Sequence, residues 1–410
     1  MTPMTPVIPV TQPTCFPPTR EAALERLAAV RPADYARSRN SLDGAVTRLS
    51  PYITHGIVDL PEILATVAAR HRLDIQHKFV YELGWREYFR HVWNDHGDAI
   101  FTSLHPGPLP TAAYAQELPD DVRTARTGIP AIDMAVRTLY ETGYLHNHAR
   151  MWLASYVVHL RKIDWRAGAD WMVSHLLDGD LGSNHLSWQW VAGTGSSKPY
   201  LFNAENVARH APREWHSPGS IIDTSYEQLD LLAHRPGPVP ARPYGAGIEE
   251  PARWKTPQGV APMAPVAAQV AGKDVWLVHP WALGDVPLDL PAGCVRLGWW
   301  PTDYHARHPW SAARWAFAGS RMAEITTHAW HGNVAALSEA VAAARSVETI
   351  AEPHIRTYLP PAVRQRPAPR LFAEVDRPCP SFSGWWKRAT LGVKRVDDLP
   401  GMLDRRSAPG

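Results

Sequence analysis

Apolar residues recur at helical spacing through the first half of the chain. From about residue 21 to residue 162 they repeat every three or four positions, without the alternation that is typical of strands. The clearest stretches are AALERLAAV, LPEILATVAARH, HKFVYELGWREYFRHVW, AIDMAVRTLYETG and HARMWLASYVVHLRK. Such spacing places apolar side chains on one face of a helix. The pattern therefore predicts an almost entirely helical first half, with Gly143 ending one of the helices.

The pattern changes in the second half of the chain. Between about residues 233 and 266 the sequence is rich in proline and polar residues, which favours a linker over helix or sheet. Beyond it, DVWLVHPW, CVRLGWWP and VETIAEP are typical of strands, whereas AARWAFAGSRMAEITTHAW and AALSEAVAAARS are typical of helices. This alternation predicts a small α/β unit. The last forty residues show no clear element, and we expect them to be partly disordered.

Composition and charge narrow the possible functions only a little. The 410 residues are 45% hydrophobic and carry a net charge of +2, so any nucleic acid would have to be held by a local basic patch. Cys15, Cys294 and Cys379 lie far apart without CxxC spacing, which argues against a disulfide framework, a structural zinc site or an iron–sulfur cluster. The sequence shows neither a secretion signal nor an apolar stretch of about eighteen residues. We therefore expect a cytoplasmic protein that does not enter the membrane.

Residues 176–190, LLDGDLGSNHLSWQW, combine acidic, amide, imidazole and indole side chains. Asp178 and Asp180 flank Gly179, a spacing that suits a turn or the start of a helix, where acidic side chains accept hydrogen bonds from backbone N–H groups. Trp188 and Trp190 are two positions apart, so one helix face cannot hold both indoles. We expect at least one of them to line a cavity or a second packing surface, and such walls would suit a planar aromatic ligand.

Two motifs in the first half admit both a structural and a functional interpretation. In TRLSPY, Thr47 or Ser50 would cap a helix, and the same groups would equally hold a phosphate; capping is favoured. In ELGWREYF, Arg86 belongs to a basic helix face of the kind that is usually solvated. Glu82 and Trp85 are three positions apart, so they would place an acceptor and an indole in one pocket, which suits a nucleobase.

In the stretch LHNHARM, His146 and His148 raise the question of a metal site. Side chains two positions apart diverge on a helix, and an HExxH pattern is missing, so a metal is disfavoured. A buried pair between Arg150 and either Asp178 or Asp180 is the stronger indication of function, because such pairs cost desolvation and are often retained for a charged ligand. Walker A, GxGxxG and GxSxG patterns are missing as well, which removes support for ordinary phosphoryl and acyl transfer.

Five blocks, taken in order, resemble the helical flavin-binding half of the DNA photolyase and cryptochrome family. The blocks are TRLSPYITHG, ELGWREYFRHVW, RTGIPAIDMAVRTLYETGYLHNHARM, IDWRAG and LLDGDLGSNHLSWQWVAGTG. The likeness begins near Phe16 and fades after Phe202 and Asn203. The fold that it implies is mainly α, with an all-helical photolyase-type FAD-binding domain followed by a proline-rich linker and a small α/β segment.

Domain boundaries follow from the resemblance combined with the pattern. We predict an N-terminal tail (1–15), a helical FAD-binding domain (16–232), a proline-rich linker (233–270), a small α/β domain (271–370) and a C-terminal tail (371–410). The α/β antenna domain that precedes the flavin domain in the family is expected to be absent from that place. The α/β segment after the linker is a candidate replacement at another position in chain order.

The resemblance implies FAD as the cofactor. Positions that match its phosphate contacts are Thr47, Leu49, Ser50 and Arg86, and hydroxyls, backbone N–H groups and a guanidinium suit a pyrophosphate. Tyr35 falls within the matched cofactor region.

Further matches concern the two ends of the flavin. Asn147 is expected near the adenine, an Arg150–Asp178 ion pair beside the isoalloxazine, Asp180 at its pyrimidine edge and Asn184 at flavin N5. An amide at this last position is photolyase-like, whereas plant cryptochromes carry an aspartate there.

The resemblance also implies a lesion pocket. Its members in this sequence would be Glu82, Trp85, Asn147, Met151 and Trp190, with the two indoles enclosing a flipped pyrimidine dimer and Glu82 accepting hydrogen bonds from its bases. Extruding a dimer costs little because it is already poorly stacked, and each base stacked on an indole contributes about 1–3 kcal/mol.

Flavin photoreduction in the family uses a chain of three tryptophans. Trp188 and Trp165 match the proximal and middle members, but the terminal one has no counterpart. Tyr114, in PTAAYAQE, is the candidate replacement, with Trp152 or Trp171 as alternatives.

Two further departures from the family adjoin the expected lesion pocket. His148 replaces the usual arginine, and His185-Leu186-Ser187 replaces Asn-Gly-Gly. We expect these changes to narrow the pocket or to weaken its contact with phosphate.

Taken together, these features predict a blue-light-driven deoxyribodipyrimidine photo-lyase, a carbon–carbon lyase. Excited reduced flavin would pass an electron to a cyclobutane pyrimidine dimer in UV-damaged DNA, and the electron would return after the ring splits. The alternative is a cryptochrome-like photoreceptor that signals to a partner through flavin photoreduction and the C-terminal segment. A dark flavoenzyme and repair of another lesion stay open, although the (6-4) photoproduct is disfavoured because HNHARM lacks that branch's paired histidines.

Overall fold

The structure, a computed structural model, describes residues 15–260, 264–265 and 267–407. It divides into two compact units. The α/β unit contains described residues 15–25, 50–58 and 252–368, and the helical unit contains 26–49, 59–251 and 369–407. The chain is mainly helical and contains a parallel sheet, which confirms the fold class at that level. Of the predicted N-terminal tail, residues 1–14 lie outside the described residues.

Eighteen α-helices, numbered in chain order, are described. They are α1 (Arg20–Ala28), α2 (Pro32–Ser38), α3 (Ser50–Thr54), α4 (Leu60–Ala68), α5 (Lys78–His96), α6 (Asp120–Arg123), α7 (Pro130–Thr142), α8 (Asn147–Ser155), α9 (Trp165–His175), α10 (Leu181–Ala192), α11 (Ala204–His210), α12 (Tyr226–His234), α13 (Ala267–Val270), α14 (Thr302–Arg307), α15 (Ala312–Ile325), α16 (Val334–Ala340), α17 (Phe382–Ala389) and α18 (Pro400–Ser407). A π-helical turn, Tyr156–Leu160, continues α8. Short 3₁₀ turns lie at Gly97–Phe101, Thr111–Ala113, Arg213–Trp215 and Val396–Asp398.

Helices of the helical unit begin and end at capping residues. Asp59, Asp164, Asp180 and Asn203 each accept a hydrogen bond from a backbone N–H in the first turn of the helix that follows. Such caps satisfy N–H groups that have no partner within the helix. Gly143 ends α7 with a φ of 64°, as the sequence predicted. Local chemistry thus fixes where the long helices start and stop.

The core of the helical unit places α10 in contact with α5, α8 and α9. Trp152, on α8, is fully buried and donates its indole N–H to Asn206. A buried ion pair joins Arg161 to Asp121, with 2.6 Å between Nη1 and Oδ2. Packing around α10 brings the predicted site residues of three helices toward one region.

Seven strands are described, and they are numbered in chain order. They are β1 (Arg253–Trp254), β2 (Asp274–Val278), β3 (Val295–Pro301), β4 (Trp310–Ser311), β5 (His328–Gly332), β6 (Ser346–Ile350) and β7 (Arg364–Arg366). β1 and β4 form a short antiparallel pair, while the other five form a parallel sheet in the order β5-β3-β2-β6-β7. Central strands of a parallel sheet are covered on both faces, which explains the continuous apolar stretch of β2.

Predicted and observed elements of the α/β unit agree for β2, β3 and β6, α15 lies within its predicted helix, and α16 begins one residue before the predicted one. One stretch differs. AARWAFAGSRMAEITTHAW was expected to be a single helix, but α15 ends at Ile325 and His328 begins a strand. The β-branched pair Thr326 and Thr327 separates the two elements, and Trp330 is buried in the sheet. The division between the units, at residues 251 and 252, falls inside the proline-rich segment.

The last forty residues contain helices, although the sequence showed no clear element there. Ser381 caps α17, and Phe382, Trp385, Trp386 and Ala389 are buried. Their spacing is that of one helix face, but eight residues are too few to make the period stand out. The expectation of disorder is therefore wrong for most of this stretch. Among the described residues, no helix is both long and apolar enough to cross a membrane.

Candidate functional site

A cavity of about 220 Å³ opens in the helical unit between α5, α8, α9 and α10. Ten predicted site residues line it: Glu82, Trp85, Arg86, Asn147, Arg150, Met151, Asp178, Asp180, Asn184 and Trp188. The other lining residues are mostly apolar, among them Phe89, Met172 and Val191. Ligand pockets usually measure about 300–1,000 Å³, so this cavity can enclose only part of a dinucleotide.

An ion pair forms one side of the cavity. The Nη2 atom of Arg150 lies 2.9 Å and 2.8 Å from the two carboxylate oxygens of Asp178, whose side chain is almost fully buried. The Nε atom of Arg150 donates to the carbonyl of Leu145 at 2.7 Å. The sequence left Asp178 and Asp180 open as partners, and the structure selects Asp178. Since the carboxylate satisfies the guanidinium, both charges are held in fixed positions beside the cavity.

Asp180 and Asn184 follow at the start of α10. Asp180 caps the helix, and its Oδ1 accepts a hydrogen bond from the Ser183 N–H at 2.7 Å, which confirms the helix-start interpretation. The Nδ2 atom of Asn184 donates to the carbonyl of Ala169 at 2.9 Å. The amide oxygen of Asn184, which accepts from an N–H donor, and the second hydrogen of its amide nitrogen are the groups that this side chain can offer to a ligand.

Arg86 adds a second positive charge to the lining. Burial lowers the pKa of its guanidinium, while the nearby carboxylates of Asp180 and Asp178 raise it. The two acids thus stabilise two arginines around one small volume. An anionic or strongly polar group would find a matched set of donors and acceptors here.

Glu82 and Trp85 lie on the side of α5 that faces the cavity. Burial raises the pKa of Glu82, and the charges of Arg39 and Lys78 oppose this shift. Arg39 lies 3.3 Å from the Glu82 carboxylate, measured from Nη2 to Oε1. Sequence reasoning missed Arg39, although it stands four positions after Tyr35, one helical turn away. Tyr35 itself packs on Phe79 and has a raised pKa because of burial and the charge of Glu82.

Several predicted residues lie elsewhere. The indole of Trp190 is 43% exposed and packs 5.5 Å from Tyr200, beside a separate depression. The hydroxyl of Thr47 accepts a hydrogen bond from the Leu49 N–H at 3.3 Å, which is a local turn contact. Ser50 begins α3 and belongs to the α/β unit. The residues expected around the flavin ring thus line the cavity, and the expected phosphate contacts Thr47, Leu49 and Ser50 and the second indole are not among the described residues of its lining.

A second cavity, of about 430 Å³, contains Trp165 and Tyr114 in its lining. The indole N–H of Trp165 donates to Ser103 at 3.1 Å. Trp188, which lines the first cavity, packs directly on Gly168, one turn along the Trp165 helix. The alternatives Trp152 and Trp171 are not among the described residues that line the second cavity, so the shared lining favours Tyr114 as the neighbour of Trp165.

The substituted triplet His185-Leu186-Ser187 was expected next to the lesion pocket, and only part of it lies there. His185 is buried between the ring edges of Phe101 and Trp165 and lies 3.0 Å from an Asp170 oxygen. Of the three substituted residues, Ser187 is the one in the lining of the first cavity. Narrowing of this cavity would therefore involve Ser187, and a weaker contact with phosphate stays a prediction.

The other substitution, His148, also has a packing role. Its ring contacts Trp152 and His210. Burial, followed by the neighbouring His210 charge, lowers the pKa of His148 to about 4, so the ring is neutral at pH 7. It cannot replace the positive charge of an arginine at this pH.

Comparison with known proteins gives one domain-level match. Residues 79–221 match the family model of the FAD binding domain of DNA photolyase. This region contains α5 through α11 and every described residue that lines the first cavity. Over these residues the chain is thus similar to a FAD binding domain of DNA photolyase, which agrees with the resemblance found in the sequence.

Curated relatives share less than half of their length with the chain. A deoxyribodipyrimidine photo-lyase of Streptomyces griseus is 36% identical over 40% of this chain and 36% of its own length. A Synechococcus enzyme of the same name is 32% identical, over 53% of this chain and 47% of its own length. A cryptochrome DASH of Idiomarina loihiensis is 31% identical, over 40% of this chain and 38% of its own length. These matches extend the likeness to both branches that the sequence left open.

Replacing Gly168 by alanine tests how tightly Trp188 is held. A Cβ atom at this position would lie 2.3 Å from the Trp188 ring, so we expect Gly168→Ala to displace the indole and to cost about 1–3 kcal/mol of unfolding free energy in urea. Gly319→Ala is the matched control, because it also adds a methyl group inside a helix but meets nothing within 4 Å. The control should be stabilised by about 0.5–1 kcal/mol. Equal stability changes in the two variants would contradict the close packing of Trp188.

Proposed function

From the premise that residues 79–221 belong to the FAD-binding domain family of DNA photolyase, we propose that this chain is a light-driven, FAD-dependent enzyme that repairs cyclobutane pyrimidine dimers in DNA. The observation that carries the proposal is a single cavity that combines the Arg150–Asp178 pair and Asn184 with Glu82 and Trp85. The first three suit a flavin ring, and the last two suit a pyrimidine. Residues that suit the flavin and residues that suit the pyrimidine therefore line the same cavity.

The residues present fit the isoalloxazine end of FAD. That ring system carries carbonyl acceptors and N–H donors, and the cavity offers guanidinium donors together with carboxylate and amide acceptors. Asn184 would accept a hydrogen bond from a flavin N–H through its amide oxygen, and the bond from its amide nitrogen to the Ala169 carbonyl fixes the orientation of the amide group. FAD, when bound and reduced, supplies the electron that light transfers to the dimer.

The remaining lining residues would hold the dimer. Trp85 presents an indole on which a base can stack, and Met151 adds a polarizable apolar contact. Glu82 accepts a hydrogen bond from a pyrimidine N–H, and the salt bridge to Arg39 limits the positions of its carboxylate. We assign Trp190, which is exposed beside Tyr200, to contact with the DNA strand next to the cavity.

An electron route to the cavity would pass through Trp165 and Trp188. We propose that Tyr114 replaces the terminal tryptophan, because it lines the same cavity as Trp165. Burial raises the pKa of Tyr114, and the charge of Asp164 raises it further, so the phenol is neutral before it is oxidised. Loss of one electron from Tyr114 to oxidised Trp165 would then be accompanied by loss of the phenolic proton to the water of this open cavity.

A cryptochrome-like photoreceptor is the second candidate function. It is favoured by the similarity to cryptochrome DASH and by the packing of the C-terminal helix α17 on α5, which lines the cavity. A change in the redox state of the flavin would alter the position of α5 and, through it, of α17, and a partner protein would bind the altered surface. We propose a cytoplasmic location for either function, since the three cysteines are free thiols.

Repair is tested with the full chain, loaded with reduced FAD, and an oligonucleotide that contains one thymine dimer. We expect blue light, but not darkness, to remove the dimer. Trp85→Ala should weaken binding of this oligonucleotide in the dark by about 1–3 kcal/mol, because one stacking surface is lost. Tyr244→Ala is the control, since this ring is 83% exposed and does not belong to the cavity lining. Flavin-replete protein that shows no light-dependent dimer loss would refute the repair proposal, and light-driven flavin reduction in that sample would favour the photoreceptor.

The electron route is tested by following flavin reduction under blue light in the presence of a thiol reductant. We expect Trp188→Phe and Trp165→Phe to abolish rapid photoreduction, and Tyr114→Phe to slow it, because phenylalanine is much harder to oxidise. Trp171→Phe serves as the control, an indole bonded to Tyr140 in the core of the unit. Full photoreduction in Trp188→Phe would refute the proximal step, and an unchanged rate in Tyr114→Phe would refute the terminal assignment.

A further inference from the structure

The C-terminal segment, defined here as residues 369–389, is bound to the outer side of α5 by polar contacts. The carboxylate of Glu87 accepts hydrogen bonds from the backbone N–H groups of Leu371, at 2.5 Å, and Phe372, at 3.2 Å. The hydroxyl of Tyr88 donates to the carbonyl of Cys379 at 3.3 Å. Glu87 is buried, so its carboxylate depends on these partners. The segment is thereby held in register along the helix.

Aromatic rings complete this contact. Phe382 stacks on Trp85 with ring centroids 4.0 Å apart and an angle of 11° between the planes, and it also meets the ring of Tyr81 at 4.6 Å. Trp386 lies directly over Gly84, where a Cβ atom would come within 2.5 Å of its ring. The missing side chain of Gly84 is what lets the segment approach α5 so closely.

The two rings of the stacked pair have different surroundings. Trp85 belongs to the lining of the first cavity, and Phe382 is not among the described residues of that lining. Phe382 is itself buried, so it stands behind the indole and covers one of its faces. A base that enters the cavity can stack only on the other face of Trp85. The rings of Tyr88 and Phe89 also contact Trp85, at 5.7 and 5.6 Å, but the stacked partner that covers its face lies about three hundred positions further along the chain.

We propose that Phe382 is a positioning residue for substrate binding: it holds the Trp85 indole in the plane on which a flipped pyrimidine stacks, so that the C-terminal segment is part of the lesion site. This inference rests on the proposed repair function. Without the phenyl ring, the indole gains rotational freedom, and part of the stacking free energy with the base is spent on ordering it. Tyrosine at position 382 retains the ring and should retain the effect.

Binding and turnover test the proposal with the FAD-loaded full chain and a thymine-dimer oligonucleotide. We expect Phe382→Ala to raise the dark Kd about 3- to 10-fold, the range of a lost aromatic pair, and to raise KM by a similar factor with little change in kcat. Phe382→Tyr should bind like the parent protein. The matched control is Phe372→Leu, which removes a ring of the same segment that packs on Trp385 and Trp386. Parent-like binding by Phe382→Ala, or equal losses in Phe382→Ala and Phe372→Leu, would overturn the proposal.

A measurement without substrate separates this proposal from the repair function. In protein labelled with 5-fluorotryptophan, the ¹⁹F signal of Trp85 is identified by its disappearance in Trp85→Phe. We expect this signal to shift in Phe382→Ala and to stay in place in Phe372→Leu and Phe382→Tyr. An unmoved signal in Phe382→Ala overturns the positioning role whether or not the protein binds damaged DNA. A shifted signal in a protein that does not bind the dimer would support control of the indole by Phe382 and refute the repair function alone.

Discussion

The central constraint in the helical unit is that α5 must bury two opposite sides, one against a cavity and one against the C-terminal segment. The buried residues of this helix include the polar side chains of Glu87 and His91 as well as apolar ones. Burial raises the pKa of Glu87 to about 7, and the N–H groups of Leu371 and Phe372 act in the opposite direction by stabilising the carboxylate. On the inner side, Glu82 is held by Arg39. Each buried charge thus ties α5 to another part of the unit, since a polar group without a partner would be costly.

Charge pairing of the same kind shapes the cavity. A buried ion pair is weak support for stability, because the desolvation penalty offsets much of the attraction. The Arg150–Asp178 pair is better understood as a fixed arrangement of donors and acceptors for a ligand. Asp180 contributes to both helix capping and charge pairing, since it caps α10 and its charge opposes the lowering of the Arg86 pKa by burial. Asp180 therefore belongs both to the start of α10 and to the lining of the cavity.

Local sequence predicted much of this arrangement. Helical spacing identified the helices of the first half, and the acidic residues at 178 and 180 indicated the start of α10. Residue chemistry alone narrowed the ion pair to two partners, because the choice between Asp178 and Asp180 depends on where α8 packs against the loop before α10, and the family resemblance then indicated Asp178. Family resemblance supplied the five residues of the expected lesion pocket, of which Trp190 is the one that is not in the described cavity lining.

What the sequence did not predict depends on contacts between distant residues. Phe382 and Trp85 are nearly three hundred positions apart, and no local pattern links FSGWWKRA to α5. The same holds for Arg39 and Glu82. β5 was missed for a different reason: apolar residues continue past Ile325 at a spacing that suits a helix, and only the pairing with β3 selects the extended form.

Both proposed functions require that the cavity binds a flavin. The visible absorption spectrum of the purified full chain tests this requirement most directly. After incubation with FAD and removal of the excess, we expect the spectrum to show the structured absorption bands of a protein-bound flavin, with one FAD per chain. Asp178→Ala, which leaves the partly buried Arg150 guanidinium without its carboxylate, should lower this occupancy. Colourless protein after such reconstitution, in a sample that is folded, would contradict the account.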